Sequence, residues 1–71
     1  MLENLEQEAT KVLEIVDNIQ DLTVEQLRVL LAHHYWKDGA EEEFVEEVWQ
    51  TDPYWEVKEH LTDTLTEIFG Y

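Results

Sequence analysis

Leu22-Thr23-Val24-Glu25-Gln26-Leu27-Arg28-Val29-Leu30-Leu31-Ala32-His33-His34-Tyr35-Trp36-Lys37-Asp38-Gly39 decides the fold. Thr23 and Gln26 have the spacing of a capping box, in which each side chain accepts the other residue's backbone N–H. Leu22 and Leu27 add the hydrophobic staple that brackets such a start. Val24, Leu27, Leu30, Leu31, His34 and Tyr35 then continue an apolar face at helical spacing. Asp38-Gly39 reads as a break, which ends the helix near Trp36 or Lys37.

Upstream, Leu2, Leu5, Ala9, Val12, Val16 and Ile19 are spaced three and four apart, the rhythm of a bundle seam. They predict a first helix from Leu2 to Ile19, with Leu13 and Ile15 widening its stripe toward a second neighbour. Downstream, a short helix is expected from Ala40 to Gln50, with Asp38 at its N-cap and Glu41 three residues on. Phe44, Val45, Val48 and Trp49 make its apolar face. A last helix is expected from Asp52-Pro53, an acid followed by Pro in the first turn, to a stop at Gly70. Its stripe is Tyr54, Val57, Leu61, Leu65, Ile68 and Phe69. Thr62, Thr64 and Thr66 lower its intrinsic helicity, so packing must hold it. The fold class is therefore all-α, a small bundle of three to four helices.

The 71 residues carry eighteen acids against four Lys and Arg, a formal charge of −14. Residues 1–37 hold seven acids and three bases, and residues 38–71 hold eleven acids and Lys58 alone. This length forms one acidic helical domain, 1–71. Small cores usually need a disulfide, a metal or a partner copy, and the chain has no Cys. A homodimer, through helix 1 or the aromatic end, is the expected remedy. Met1-Leu2-Glu3-Asn4 lacks the basic start and apolar run of a signal peptide, and Val29-Leu30-Leu31-Ala32, the longest apolar run, is too short to span a bilayer. A soluble cytoplasmic protein with no membrane contact is expected.

With neither Ser nor Cys in the chain, the familiar acyl-transfer triads are excluded. Arg28 is the single Arg and there is no Gly-rich loop, so phosphate cradles are absent as well. His33, His34 and His60 lack metal-ligand spacing, and no calcium-loop pattern occurs. The expectation is no enzyme, no cofactor and no specific metal, with His34 partly buried and the other two histidines solvated. Trp36, Trp49, Trp55, Tyr35 and Tyr54 gather near the helix junctions. They serve either core packing or a partner-facing patch, and adjacent Tyr54 and Trp55 cannot both face inward.

The acidity admits several readings. A solvated face keeps a bundle in solution, though mixed charge would do so with less self-repulsion. Halophilic adaptation is another. An adaptor that takes a basic helix in an apolar groove is a third. The reading favoured is nucleic-acid mimicry. Carboxylates three or four residues apart on a helix climb about 4.5–6 Å, against about 3.4 Å per phosphate on a DNA strand. Such an array imitates backbone charge and shape, not base edges. Its targets would be proteins that hold DNA by its phosphates, such as histone-like nucleoid proteins. It would repel nucleic acid itself. The expected partner-binding residues are Glu42, Glu43, Glu46 and Glu47, supported by Asp38, Asp52, Glu56, Glu59 and Asp63. Their role is to pair with the Lys and Arg that normally grip phosphates.

In size, charge and the base-free segment holding Asp38, Glu41, Glu42, Glu43, Glu46, Glu47 and Asp52, the chain resembles the small acidic helical DNA-mimic and host-takeover inhibitors of bacteriophages. The resemblance implies an inhibitor that acts in the host cytoplasm by occupying the DNA-binding surface of a basic host protein. The alternative is a non-enzymatic adaptor, or a plain acidic bundle with no nucleic-acid-related target.

Overall fold

Thr23 Oγ1 accepts the Gln26 N–H at 3.2 Å, and Gln26 Oε1 accepts the Thr23 N–H at 2.9 Å. The capping box is thus complete, and helix α2 runs Val24–Lys37. The computed structural model describes residues 2–51 and 53–69. Around α2 stand α1 (Leu2–Ile15), α3 (Glu42–Glu46) and α4 (Lys58–Phe69), joined through three short turns. The turns are a 3₁₀ turn at Ile19–Asp21, a π-helical turn at Glu47–Thr51 and a second 3₁₀ turn at Pro53–Glu56. The fold is all-α, with no strand among the described residues, and measures 27 × 25 × 18 Å.

The central helix is enclosed more fully than one apolar face implies. Leu27, Arg28, Val29, Leu30, Leu31 and Ala32 are consecutive and all buried. Six successive residues sweep more than a full turn, so this stretch is covered on every side. Its neighbours are α1, α3, α4, the π turn and the second 3₁₀ turn. Leu5, Leu27, Leu31, Leu61 and Leu65 are fully enclosed. Each contributes about 1.5–3 kcal/mol of hydrophobic stabilisation relative to exposure.

α2 stops through a Schellman closure. Gly39 N–H donates to Trp36 O at 3.2 Å and Ala40 N–H to Tyr35 O at 2.9 Å, the paired bonds that satisfy the last carbonyls. The turn requires the left-handed backbone of Gly39, φ +95°, a conformation glycine adopts without steric cost.

Several local expectations are corrected. The first helix ends at Ile15, not Ile19. Asn18 Oδ1 accepts the Gln20 N–H at 3.0 Å, a side-chain bond that competes with helix continuation, and Ile19 enters the core from the 3₁₀ turn instead. Leu13 and Ile15 are exposed; two residues apart, they flank the helix rather than share a face. The third helix begins at Glu42 behind an N-cap Glu41 that makes no side-chain cap bond. Asp38 is unavailable to it, because it is the C-cap of α2. Val45 and Val48 are buried as expected, but Phe44 is exposed. The last α-helix begins at Lys58; the Pro53 segment forms the separate 3₁₀ turn, and Tyr54 and Val57 leave the apolar stripe for the surface. Asp52 and Gly70 lie outside the described residues. Thr62 and Thr64 turn their hydroxyls onto the Lys58 and His60 carbonyls at 3.0 and 2.8 Å, the back-bonding that makes them neutral helix formers at best.

Candidate functional site

The acidic segment is held by one cation. Arg28, 7% exposed, projects from α2 beneath the π turn. Its Nε donates to Val48 O at 2.8 Å and one Nη to Glu47 O at 3.4 Å. The other Nη lies 3.8 Å from Glu56 Oε1. These bonds tie carbonyls of the π turn to α2, and such widened turns are short irregularities within helical segments. Val45 and Val48 are pressed into the core on the same side. The exposed side of α3 and the π turn carries Glu42, Glu43 and Glu47 together with Phe44.

The expected site residues are placed as follows. Glu42 and Glu43 occupy the first turn of α3 and Glu47 opens the π turn, all exposed. Glu46, the last residue of α3, is half-buried. Glu47 N–H donates to Glu43 O, so these two residues stand one turn apart. Asp38 is exposed at the end of α2. Glu59 and Asp63 are exposed on α4, and Glu56 ends the second 3₁₀ turn. Asp52 lies outside the described residues. α3 and α4 both pack on α2, so the carboxylates lie on separate helices braced by a common one.

Three of the four Lys and Arg side chains are engaged elsewhere. Arg28 is under the π turn. Lys37 Nζ lies 3.4 Å from Glu6 Oε1 and 4.9 Å from the Trp36 ring centroid. Lys58 Nζ donates to Gln20 O at 2.7 Å, tying α4 to the first 3₁₀ turn. Among the described residues, no Lys, Arg or His nitrogen pairs with Glu42, Glu43, Glu46, Glu47, Glu59 or Asp63. An open polar groove of about 720 Å³ between α1, α2 and the π turn adds Glu8, Glu25 and Glu56 beside Trp49.

The aromatic residues divide between core and surface. Trp36, Trp49 and Trp55 are partly buried against the core. Phe44 and Tyr54 are exposed, at 41% and 52%. The Tyr35 and Phe44 rings meet edge-on with centroids 5.2 Å apart. Tyr54 stacks on His60 at 4.4 Å and meets Trp55 edge-on at 4.7 Å. Burial, and secondarily nearby Tyr54, raise the Tyr35 hydroxyl above its ordinary range.

His34 is partly buried as expected, but His33 and His60 are not fully solvated. All three are half-buried. His33 Nε2 is buried without a hydrogen-bond partner among the described residues, and burial first, then Lys37, hold its pKa below the ordinary value. No group of three or more His, Asp or Glu among the described residues is arranged to hold a metal, and none of their helices is long and apolar enough to cross a membrane. Compared with protein-family models, with curated proteins and with solved structures, the chain matches none.

Sequence reasoning passed over Arg28 as a structural brace. The signal was present: in a helix whose positions 27 and 29–32 are all apolar, a lone cation has no polar face to occupy. It must either be buried with partners or break the pattern.

Proposed function

We propose that this chain is a non-enzymatic inhibitor that occupies the nucleic-acid-binding surface of a basic DNA-binding protein and blocks DNA access. Histone-like nucleoid proteins are the target class, and a phage-encoded product acting in the host cytoplasm is the setting. The supporting observation is the exposed, cation-free row of Glu42, Glu43 and Glu47 on a segment fixed by Arg28. Plain solubility needs no rigid row, and mixed charge would supply it with less repulsion. A row held on a braced helix presents anionic groups to a basic cleft with little ordering left to do on binding. Glu46, Asp38, Glu56, Glu59 and Asp63 extend the negative field, which steers a cationic partner into encounter.

A homodimer is part of the proposal. Leu13, exposed on α1, offers apolar contact away from the acidic row, and pairing would double the negative charge. Sedimentation velocity should give a mass near twice 8.5 kDa.

The test is displacement of a fluorescent duplex from a histone-like protein, read by anisotropy. Addition of the chain should release the duplex, less so as salt rises. The E42K/E43K/E47K variant should release none at the same concentration while keeping its helical circular dichroism. Equal release by that variant would remove the row from the mechanism. Release that resists salt and fails on apolar substitution would favour the adaptor.

A further inference from the structure

Rings from four elements form two contact groups, close enough that Tyr54 helps raise the Tyr35 hydroxyl. Phe44 of α3 meets Tyr35 of α2, and Tyr54 of the second 3₁₀ turn stacks on His60 of α4 and meets Trp55. Phe44 and Tyr54 remain widely exposed, as does Val57, three residues on from Tyr54. Aromatic rings of this size are normally drawn into a core, and in this chain the three Trp are. The two exposed rings are linked through Tyr35, and acids flank them in sequence. Glu41 and Glu47, both exposed, stand three residues either side of Phe44, the spacing of helical neighbours. Asp63, also exposed, holds the same spacing from His60.

An aromatic centre within a charged rim is the arrangement of a protein-binding hot spot. The charge selects the occupant. A second copy of this chain would bring acidic rims together on molecules of net charge −14 each. Lysine would satisfy the rim but gains less from the rings, because its ammonium is compact and strongly hydrated. The arginine guanidinium satisfies both, since it is planar, weakly hydrated, stacks on aromatic faces and forks onto carboxylates. Building on the proposed inhibitor function, we infer that Phe44 and Tyr54 form an arginine-stacking patch that docks an arginine-rich segment of the basic partner, making the chain selective for arginine over lysine. The acidic row supplies attraction, and the ring patch supplies discrimination.

Heptaarginine and heptalysine peptides of equal charge test this against the whole chain by isothermal titration at fixed ionic strength. Wild type should bind heptaarginine about tenfold more tightly than heptalysine, the gain expected from two exposed ring contacts. In the F44L/Y54L variant, which keeps apolar bulk but removes both ring faces, that preference should fall to about twofold, with heptalysine binding unchanged. Circular dichroism and thermal melts confirm that the variant folds. Single F44L and Y54L variants, each losing part of the preference, serve if the double variant does not. An arginine preference that survives in the folded variants, or is absent from wild type, overturns the inference. So does a wild-type dimer that F44L/Y54L splits, which would assign the patch to a second copy. The inhibitor function fails separately, when E42K/E43K/E47K binds both peptides as wild type does.

Discussion

Arg28 Nε donates to the carbonyl oxygen of Val48 at 2.8 Å, joining α2 to a residue twenty positions away. Its other contacts are weaker. The Glu47 carbonyl is at 3.4 Å, and Glu56 stands 3.8 Å away with 65% of its side chain exposed. A solvent-screened pair of that geometry contributes at most several tenths of a kcal/mol. A buried carbonyl left without a donor costs about 1–3 kcal/mol. The carbonyl bond is therefore what fixes the acidic segment. R28M, which keeps the buried stem but removes every donor, should lower unfolding stability by about 2–3 kcal/mol in urea titration. E56Q should cost less than about 0.5 kcal/mol. Equal losses in the two variants would move the anchor to the ion pair.

Gly39 offers a cleaner probe of how α3 is aimed. A Cβ added there would meet nothing within 4 Å, so its cost is confined to the backbone at φ +95°. G39A should therefore destabilise by about 1–2 kcal/mol. G39N should cost less, because Asn tolerates the left-handed region. Thermal unfolding of the two variants checks the order.

The contrast between α2 and α3 shows what was legible in the sequence. Thr23, Gln26, Leu22 and Leu27 act within one turn, so their spacing alone predicts the start of α2, and the structure has it. Asp38 carries an equally good local signal for capping α3. It loses to the Schellman closure of α2, in which Asp38 is the C-cap and Gly39 and Ala40 donate back to Trp36 and Tyr35. The π turn was illegible, and so were the bonds that tie its carbonyls to Arg28, which lies nineteen and twenty positions away and is buried by tertiary packing. The acidic row was legible as charge. That its carboxylates lack cation partners depends on where Lys37 and Lys58 fold to, and no spacing rule gives that.

His33 sets a pH dependence of definite sign. Its Nε2 is buried without a partner among the described residues, and the groups around it are Lys37, Glu6 and His34. Burial is the main cause of its lowered pKa; Lys37 and His34 lower it further, while Glu6 opposes them. The unfolded chain therefore takes up the proton first as pH falls below 6.5. The stability that neutral His33 contributes is present above that value and is lost as pH falls through the folded pKa. H33Q should remove this loss, so the difference in stability between wild type and H33Q should shrink from pH 7.5 to pH 5. Comparing the two proteins cancels the carboxylates, whose protonation relieves repulsion over the same range. A difference that stays flat across that interval would mean that His33 does not titrate there differently in the two states.

Salt should stabilise the fold without being required for it. The Debye length is about 30 Å at 0.01 M and about 8 Å at 0.15 M. The molecule measures 27 × 25 × 18 Å. At the lower ionic strength, nearly every carboxylate therefore feels the others, whereas at the higher only near neighbours interact. The melting temperature should rise by several degrees between the two conditions, from a protein already folded at 0.01 M. An unfolded chain at low salt would instead indicate halophilic adaptation.

Neutralising the acidic row should move stability and function in opposite directions. Glu42 and Glu46, Glu43 and Glu46, and Glu43 and Glu47 are like-charge neighbours at three or four residues, each pair destabilising the helix by about 0.2–0.5 kcal/mol. Glu46 is half-buried, so replacing it mixes packing with charge, whereas Glu42, Glu43 and Glu47 are exposed. E42Q/E43Q/E47Q relieves all three repulsions without touching the core. The variant should melt a few degrees higher than wild type and yet release little duplex from a histone-like protein. A surface kept only for solubility would show the gain in stability with no loss of competition. A mimic gives up its grip on lysine and arginine as it becomes more stable, because the charges that strain the free helix are those the partner neutralises. Differential scanning calorimetry and the anisotropy assay on the same preparation read both effects.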